Sequence, residues 1–140
     1  PDYLARHGAP KTAEDLRRHR CIAHAFGIGK QYRFTHGGET ITVPVDWSFH
    51  TNETAVLRRA VLSGAGIGML PTYYLGDDLR AGRLVSLLPD HEPDVLGIHA
   101  IYLSRQHQPL ALRLLVDFLA ARFAGEPAPW DRALQTAAHT

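Results

Sequence analysis

Apolar and polar residues alternate along this chain in runs short enough to be single elements. Gln31 to Thr35 and Glu39 to Val45 both follow a period of two. Tyr32 and Phe34 share one face of the first run, and Ile41, Val43 and Val45 share one face of the second. His36, Gly37 and Gly38 lie between them, so the pair predicts a β-hairpin. Pro44 has no N–H to give to a ladder, which places the second strand at an edge or at a bulge. Cys21 to Phe26 is a continuous apolar run ended by Gly27 and Gly29, the pattern of a buried strand. Asp46 to His50 alternates again through Trp47 and Phe49.

Helices are announced by their starts and stops. Thr12 with Asp15 three residues later fits a capping box and predicts a short helix to about Arg18. Asn52 is a suitable N-cap, Glu53 suits a first turn, and Gly64 suits a left-handed C-terminal cap, so a helix is expected over 53–63. Ile67 to Leu70 reads as a short strand stopped by Pro71. Strand, helix and strand joined by short links predict a βαβ unit with parallel pairing. Thr72 to Ala81 reads as a helix ended by Gly82, Leu84 to Leu88 as a strand closed by Pro89, Asp90 to Gly97 as a loop, and Ile98 to Leu103 as a strand. Leu110 to Phe123 is the clearest helix: Leu112, Leu115, Val116, Leu119 and Phe123 form a stripe, and Arg113 and Asp117 can pair on the other side. Residues 125–140, with their prolines and alanines, are expected to be a flexible tail. The alternation of strands and helices makes the fold class α/β.

Composition narrows the class further. The 140 residues are 45% hydrophobic and 21% charged, which suits one globular domain. The formal net charge is +1, and no clustered basic face marks a nucleic-acid-binding module. Arg17, Arg18, His19 and Arg20 form the densest basic stretch and read as a solvated helix end. No apolar stretch reaches the roughly 20 residues that span a bilayer, so no membrane association is expected. No leader peptide is visible, although the chain begins at Pro1 rather than Met. Cys21 is the single cysteine and reads as a buried strand residue, compatible with a reducing compartment.

The candidate chemistry is mostly excluded. Gly64, Gly66 and Gly68 follow a predicted helix and open a strand, the reverse of a dinucleotide fingerprint. Nine histidines are present, yet none are spaced as metal ligands on one element, so no metal and no cofactor are expected. Ser63 is not in a nucleophile elbow. Asp77 and Asp78 are adjacent, point about 100° apart on a helix, and read as solvated. No acid–base pair or triad emerges, so the chain is not expected to be an enzyme. Ala55, Val56, Leu57, Ala60, Val61 and Leu62 give helix 53–63 an apolar arc wider than one core stripe, which fits either a helix packed on a sheet and partly covered by neighbours or a helix whose flank meets another subunit.

The order of landmarks is more specific than any one of them. Tyr3-Leu4, His7-Gly8, Pro10, Asp15-Leu16, His19 and Cys21-Ile22 come first. Asn52, Ala55, Ala60, Gly64-Ala65-Gly66-Ile67-Gly68 and Leu70-Pro71 follow. Leu79, Gly82, Leu84-Val85 and Leu87-Leu88 come next, then Ile101-Tyr102-Leu103, Pro109, Arg113 and Asp117-Phe118-Leu119. This succession, from about Asp2 to Phe123, resembles the C-terminal part of bacterial LysR-type transcriptional regulators.

The resemblance implies a fold like type II periplasmic binding proteins, with two α/β subdomains joined by crossing strands around an effector cleft. Residues 1–93 would be the second subdomain with hinge strands, 94–124 the strand and helix returning to the first subdomain, and 125–140 the tail. The opening half of the first subdomain and the helix-turn-helix would lie outside this chain. By position, the family's effector contacts correspond to Ala25, Phe26 and Gly27, to His50, Thr51 and Asn52, and to Leu70 and Pro71 as apolar lining. The implied partners are a small-molecule effector, DNA through the absent N-terminal domain, and further copies in a homodimer or homotetramer through helix 53–63. The implied setting is cytoplasmic. The alternative is an extracytoplasmic solute-binding protein of a transport system.

Overall fold

The computed structural model describes residues 1–25, 30–94, 97–102, 109–125, 128, 130 and 131. Two small three-stranded sheets form its centre. In the first, β1 (Cys21–His24) lies between β4 (Trp47–Thr51) and β5 (Ile67–Gly68), and both neighbours run parallel to it. The crossover helix α2 (Thr54–Leu62) leaves β4, passes over β1 and returns as β5, so the expected parallel unit is present with a third strand inserted. Leu57 is the fully buried anchor of α2. Gly64 has the expected left-handed conformation, with φ of 72°. At Gly66 the backbone touches the opening of β1: a Cβ there would overlap the Arg20 carbonyl oxygen, next to the Ile67 N–H bond to that oxygen.

The second sheet is antiparallel. The hairpin of β2 (Gln31–His36) and β3 (Glu39–Pro44) turns at Gly37-Gly38 and is joined on the other side of β2 by the two-residue β6 (Glu92–Pro93). β3 is an edge strand, as Pro44 requires. The inward face of the hairpin carries Tyr32, Phe34 and Val43, and these meet Ala13, Leu16, Cys21, Ala23, Val45 and Leu88 in one apolar core. A hydrogen bond from the buried Tyr32 hydroxyl to the Ile22 carbonyl, 2.8 Å, ties the two sheets together.

The N-terminal part braces β1. The short α1 (Asp2–His7) buries Tyr3, whose hydroxyl accepts the Arg20 N–H at 2.9 Å and lies 3.2 Å from His19 Nδ1. Ala13–Arg18 is a 3-10 helix, and the Thr12–Asp15 capping box is formed. Asp15 accepts the N–H groups of Lys11 and Thr12 at 2.9 and 3.0 Å. Those two bonds, Thr12's first, hold its carboxyl below the usual value.

Several sequence expectations need correction. Residues 72–81 do not form one helix: a 3-10 turn, Thr72–Tyr74, precedes α3 (Gly76–Arg80). Asp78 is not solvated but wholly buried, because guanidinium groups from Arg58 and Arg83 supply the bonds that water would have given. Leu84 and Leu88 are buried, yet 84–88 pairs with no strand among the described residues, and Leu88 is left-handed with φ of 55°. Part of the expected loop 90–97 forms β6 instead. Of the expected strand 98–103, residues 98–102 are described and carry no ladder, while Leu103 lies outside the described residues. Ile98 and Ile101 are 60% and 95% exposed, so neither has a sheet surface to bury against.

The helix α4 (Leu110–Phe123) has the expected bounds, but its stripe is only partly covered. Leu112, Val116 and Leu119 are half-buried, whereas Leu110, Leu114, Leu115, Phe118 and Phe123 are exposed. Most of the expected tail lies outside the described residues. Trp130 within it packs edge-on against Tyr73 and Phe123, with ring centroids 6.0 and 5.7 Å apart. No helix among the described residues is long and apolar enough to cross a membrane.

Candidate effector site

Parallel strands bring their C-terminal ends to one edge of a sheet, and a crevice at that edge is where open α/β sheets bind ligands. β1 and β4 pair with His24 opposite Thr51 and Ala23 opposite His50. The pairing continues one step past β1, where the Ala25 N–H donates to the Thr51 carbonyl at 2.9 Å. Ala25, His50, Thr51 and Asn52 therefore meet at one place. Leu70 and Pro71 follow β5, which ends at the same edge because it too is parallel to β1. Phe26 and Gly27 lie outside the described residues.

Asn52 does not cap α2. The N-cap is Glu53, whose N–H donates to Thr51 Oγ1 at 3.2 Å, and no side chain caps the first turn. The helix starts one residue later than expected, and the Thr51 bond goes to the N-cap residue rather than to the first turn. The open first turn keeps N–H donors available to a ligand at the sheet edge. Glu53 sets a carboxylate beside the same helix end, which reduces the preference for an anion that the helix dipole alone would provide. His50 is exposed, and its ring lies 6.2 Å from that of Trp47.

Sequence reading missed a cavity of about 350 Å³. Leu16, Tyr32, Phe34, Met69, Leu84 and Leu88 line it, and Leu70 reaches it as well. No local motif announces it, because its walls come from stretches of chain far apart in sequence. Tyr32 and, in the adjoining core, Cys21 are buried. Burial raises the Tyr32 hydroxyl. Burial first, and the Asp46 charge second, push the Cys21 thiol up to about 11. Among the described residues, no three His, Cys, Asp or Glu side chains are grouped to hold a metal ion.

The LysR substrate binding domain family matches residues 1–124. The chain belongs to that family. The probable HTH-type transcriptional regulator LtrA of Klebsiella pneumoniae is 32% identical over 126 residues, covering 84% of this chain and 40% of that protein. The full-length Vibrio cholerae virulence activator AphB superposes with a TM-score of 0.71 at 28% identity, covering 86% of this chain and 42% of AphB. The regulatory domain of CrgA from Neisseria meningitidis gives 0.69 at 27% identity, covering 89% of this chain and 62% of that domain. The LysR chain thus spans about 40% of the curated relatives it matches. Its α/β fold is that of LysR-type regulatory domains, which are type II periplasmic-binding-protein-like, and its family is one of regulators rather than enzymes. These matches lend no support to the transport alternative.

Proposed function

We propose that this LysR domain binds a small-molecule metabolite at the C-terminal edge of its parallel sheet and that binding alters DNA contact by a helix-turn-helix elsewhere in a longer protein. The observation that carries the reading is the meeting of Ala25, His50, Thr51 and Asn52 at one sheet edge beside the uncapped start of α2. Phe26, Gly27, Leu70 and Pro71 complete the proposed lining. The effector favours one orientation of two subdomains and acts by population shift. The domain performs no catalysis and works in the cytoplasm, away from the membrane.

Residues 1–93 serve as the second subdomain, 94–124 as the segment returning to the first, and 125–140 as an extension in which Trp130 packs against Tyr73 and Phe123. Exposed Ile98, Ile101, Leu114 and Phe118 support this division, since they present an apolar face that a first-subdomain sheet would cover. Helix 53–63 serves as the contact for a homodimer or homotetramer, supported by the 43% exposure of Val56 on an otherwise sheet-packed helix.

In the whole regulator, Thr51→Val and Asn52→Ala are expected to abolish the effector's change in promoter occupancy while leaving DNA affinity without effector unchanged. An unaltered effector response in both variants overturns the site.

A further inference from the structure

Two histidines away from the proposed cleft stand face to face. The rings of His36, at the end of β2, and His91, just before β6, are stacked with centroids 4.4 Å apart and planes inclined by 13°. Strand register accounts for this. Phe34 pairs with Pro93 across the β2–β6 ladder, and side chains alternate along a strand, so Phe34, His36, His91 and Pro93 share one face. Phe34 meets the His91 ring edge-on at 6.0 Å. His36 Nδ1 lies 2.8 Å from the Asp90 carbonyl oxygen. A carbonyl can only accept, so Nδ1 is the donor in this bond.

Little else holds segment 90–94 on the hairpin. The β2–β6 ladder contains two residue pairs. On the opposite face Arg33 grips both carboxylate oxygens of Asp94 at 2.6 to 3.1 Å, but both side chains are more than half exposed, and such pairs contribute little. The segment begins beside Leu88, whose left-handed backbone is unfavourable for a leucine, so undocking can relieve local strain.

We propose that the His36–His91 stack is a pH-sensitive latch, holding segment 90–94 on the hairpin while at most one ring is charged and releasing it when both are protonated. Two unit charges at the observed separation change the docked population by about fivefold in water, and by more where water is partly excluded. By register, Glu39 lies opposite His36 on the same face and is the carboxylate that attenuates the repulsion. Arg33, Glu92 and Asp94 alternate onto the other face, although Glu92 also borders the cavity beside His91. The cavity wall also carries the phenols of Tyr3 and Tyr32 and the terminal amino group of Pro1, none of which is on the hairpin or segment 90–94 except Tyr32. The latched segment leads along the chain toward α4, so its release loosens the tether between the sheets and that helix.

The test is amide hydrogen exchange on the 140-residue chain at about pH 7.5 and about pH 5.5, either side of the ordinary histidine value. Rates are corrected for intrinsic exchange and referred to the β2–β3 hairpin. Protection of Glu92 and Asp94 is expected to fall about threefold at the lower pH, approaching the limit of about fivefold as both rings become fully charged. His36→Phe and His91→Phe keep a stacked ring without a titrating charge and are expected to abolish that fall, while Glu39→Gln enlarges it. An undiminished fall in both phenylalanine variants, or no fall in the unmodified chain, overturns the proposal.

Discussion

Arg58 and Asp78, twenty positions apart, form a two-pronged ion pair with N···O separations of 2.5 and 2.9 Å that ties α2 to α3. Arg83 closes the other side of the same carboxylate at 2.8 Å. Asp78 is fully buried while both arginines reach solvent, so the cluster is asymmetric. Removing an arginine strands a buried charge. Removing the carboxylate frees cations that can hydrate.

Arg58→Ala is therefore expected to lower the thermal midpoint more than Asp78→Asn, which should cost about 1–2 kcal/mol. Calorimetry on the two variants reads the order directly. Reversal of the order would mean that Arg83 alone satisfies the carboxylate.

The pH dependence of the same cluster has a definite sign. Bonding to Arg58 first and Arg83 next holds the Asp78 carboxyl below its ordinary 3.8, against the opposing effect of burial. Its stabilisation is complete above that ordinary value and is lost as pH falls below it, through the lower folded value. Acid unfolding of Asp78→Asn should be correspondingly less steep below about pH 4.

Two neighbours on α2 should separate packing from association. Leu57→Ala removes a fully buried side chain against the parallel sheet and should cost about 2–5 kcal/mol in urea unfolding. Val56→Ser, on the exposed flank, should change stability by less than about 0.5 kcal/mol. If helix 53–63 is the oligomer contact, sedimentation should show Val56→Ser shifted toward monomer. An unchanged sedimentation profile would remove that flank from the interface.

Gly66 tolerates no side chain. Gly66→Ala drives a methyl group into the Arg20 carbonyl and should cost about 1–3 kcal/mol by forcing β1 and β5 apart. Gly82→Asn is the control, since Gly82 is left-handed but open, and it should be milder in the same unfolding assay.

Cys21 should resist alkylation in the native chain. Its thiol is buried, donates to the Leu16 carbonyl and titrates near 11. Mass spectrometry after iodoacetamide at about pH 8 should show labelling only once denaturant is added. Rapid native labelling would show that the hairpin side of the core opens readily.

Ala25 and Thr51 are placed as site candidates by the family resemblance, and the parallel pairing of β1 and β4 brings the two together. Asn52 was misread as a cap because capping preference is a local statistic, whereas in the fold Glu53 takes the N-cap position and no side chain caps the first turn. Asp78 was misread for the same reason: adjacent aspartates look solvated until Arg58 and Arg83 arrive from other parts of the chain. The His36–His91 stack was invisible, since it requires the register of a two-residue ladder joining segments more than fifty positions apart.

By itself the sequence determined the hairpin, the capped turn at Thr12, the crossover helix and α4, because periodicity, caps and glycine turns are local physics repeated along the chain; the order of its landmarks carried the resemblance to the LysR family. Tertiary structure alone decided which charges are buried, where the cavity lies, and that 84–88 and 98–102 carry no ladder. A strand is completed only by its neighbour. Propensity brings Ile98 and Ile101 toward an extended form, but among the described residues no strand pairs with them, and their side chains stand exposed.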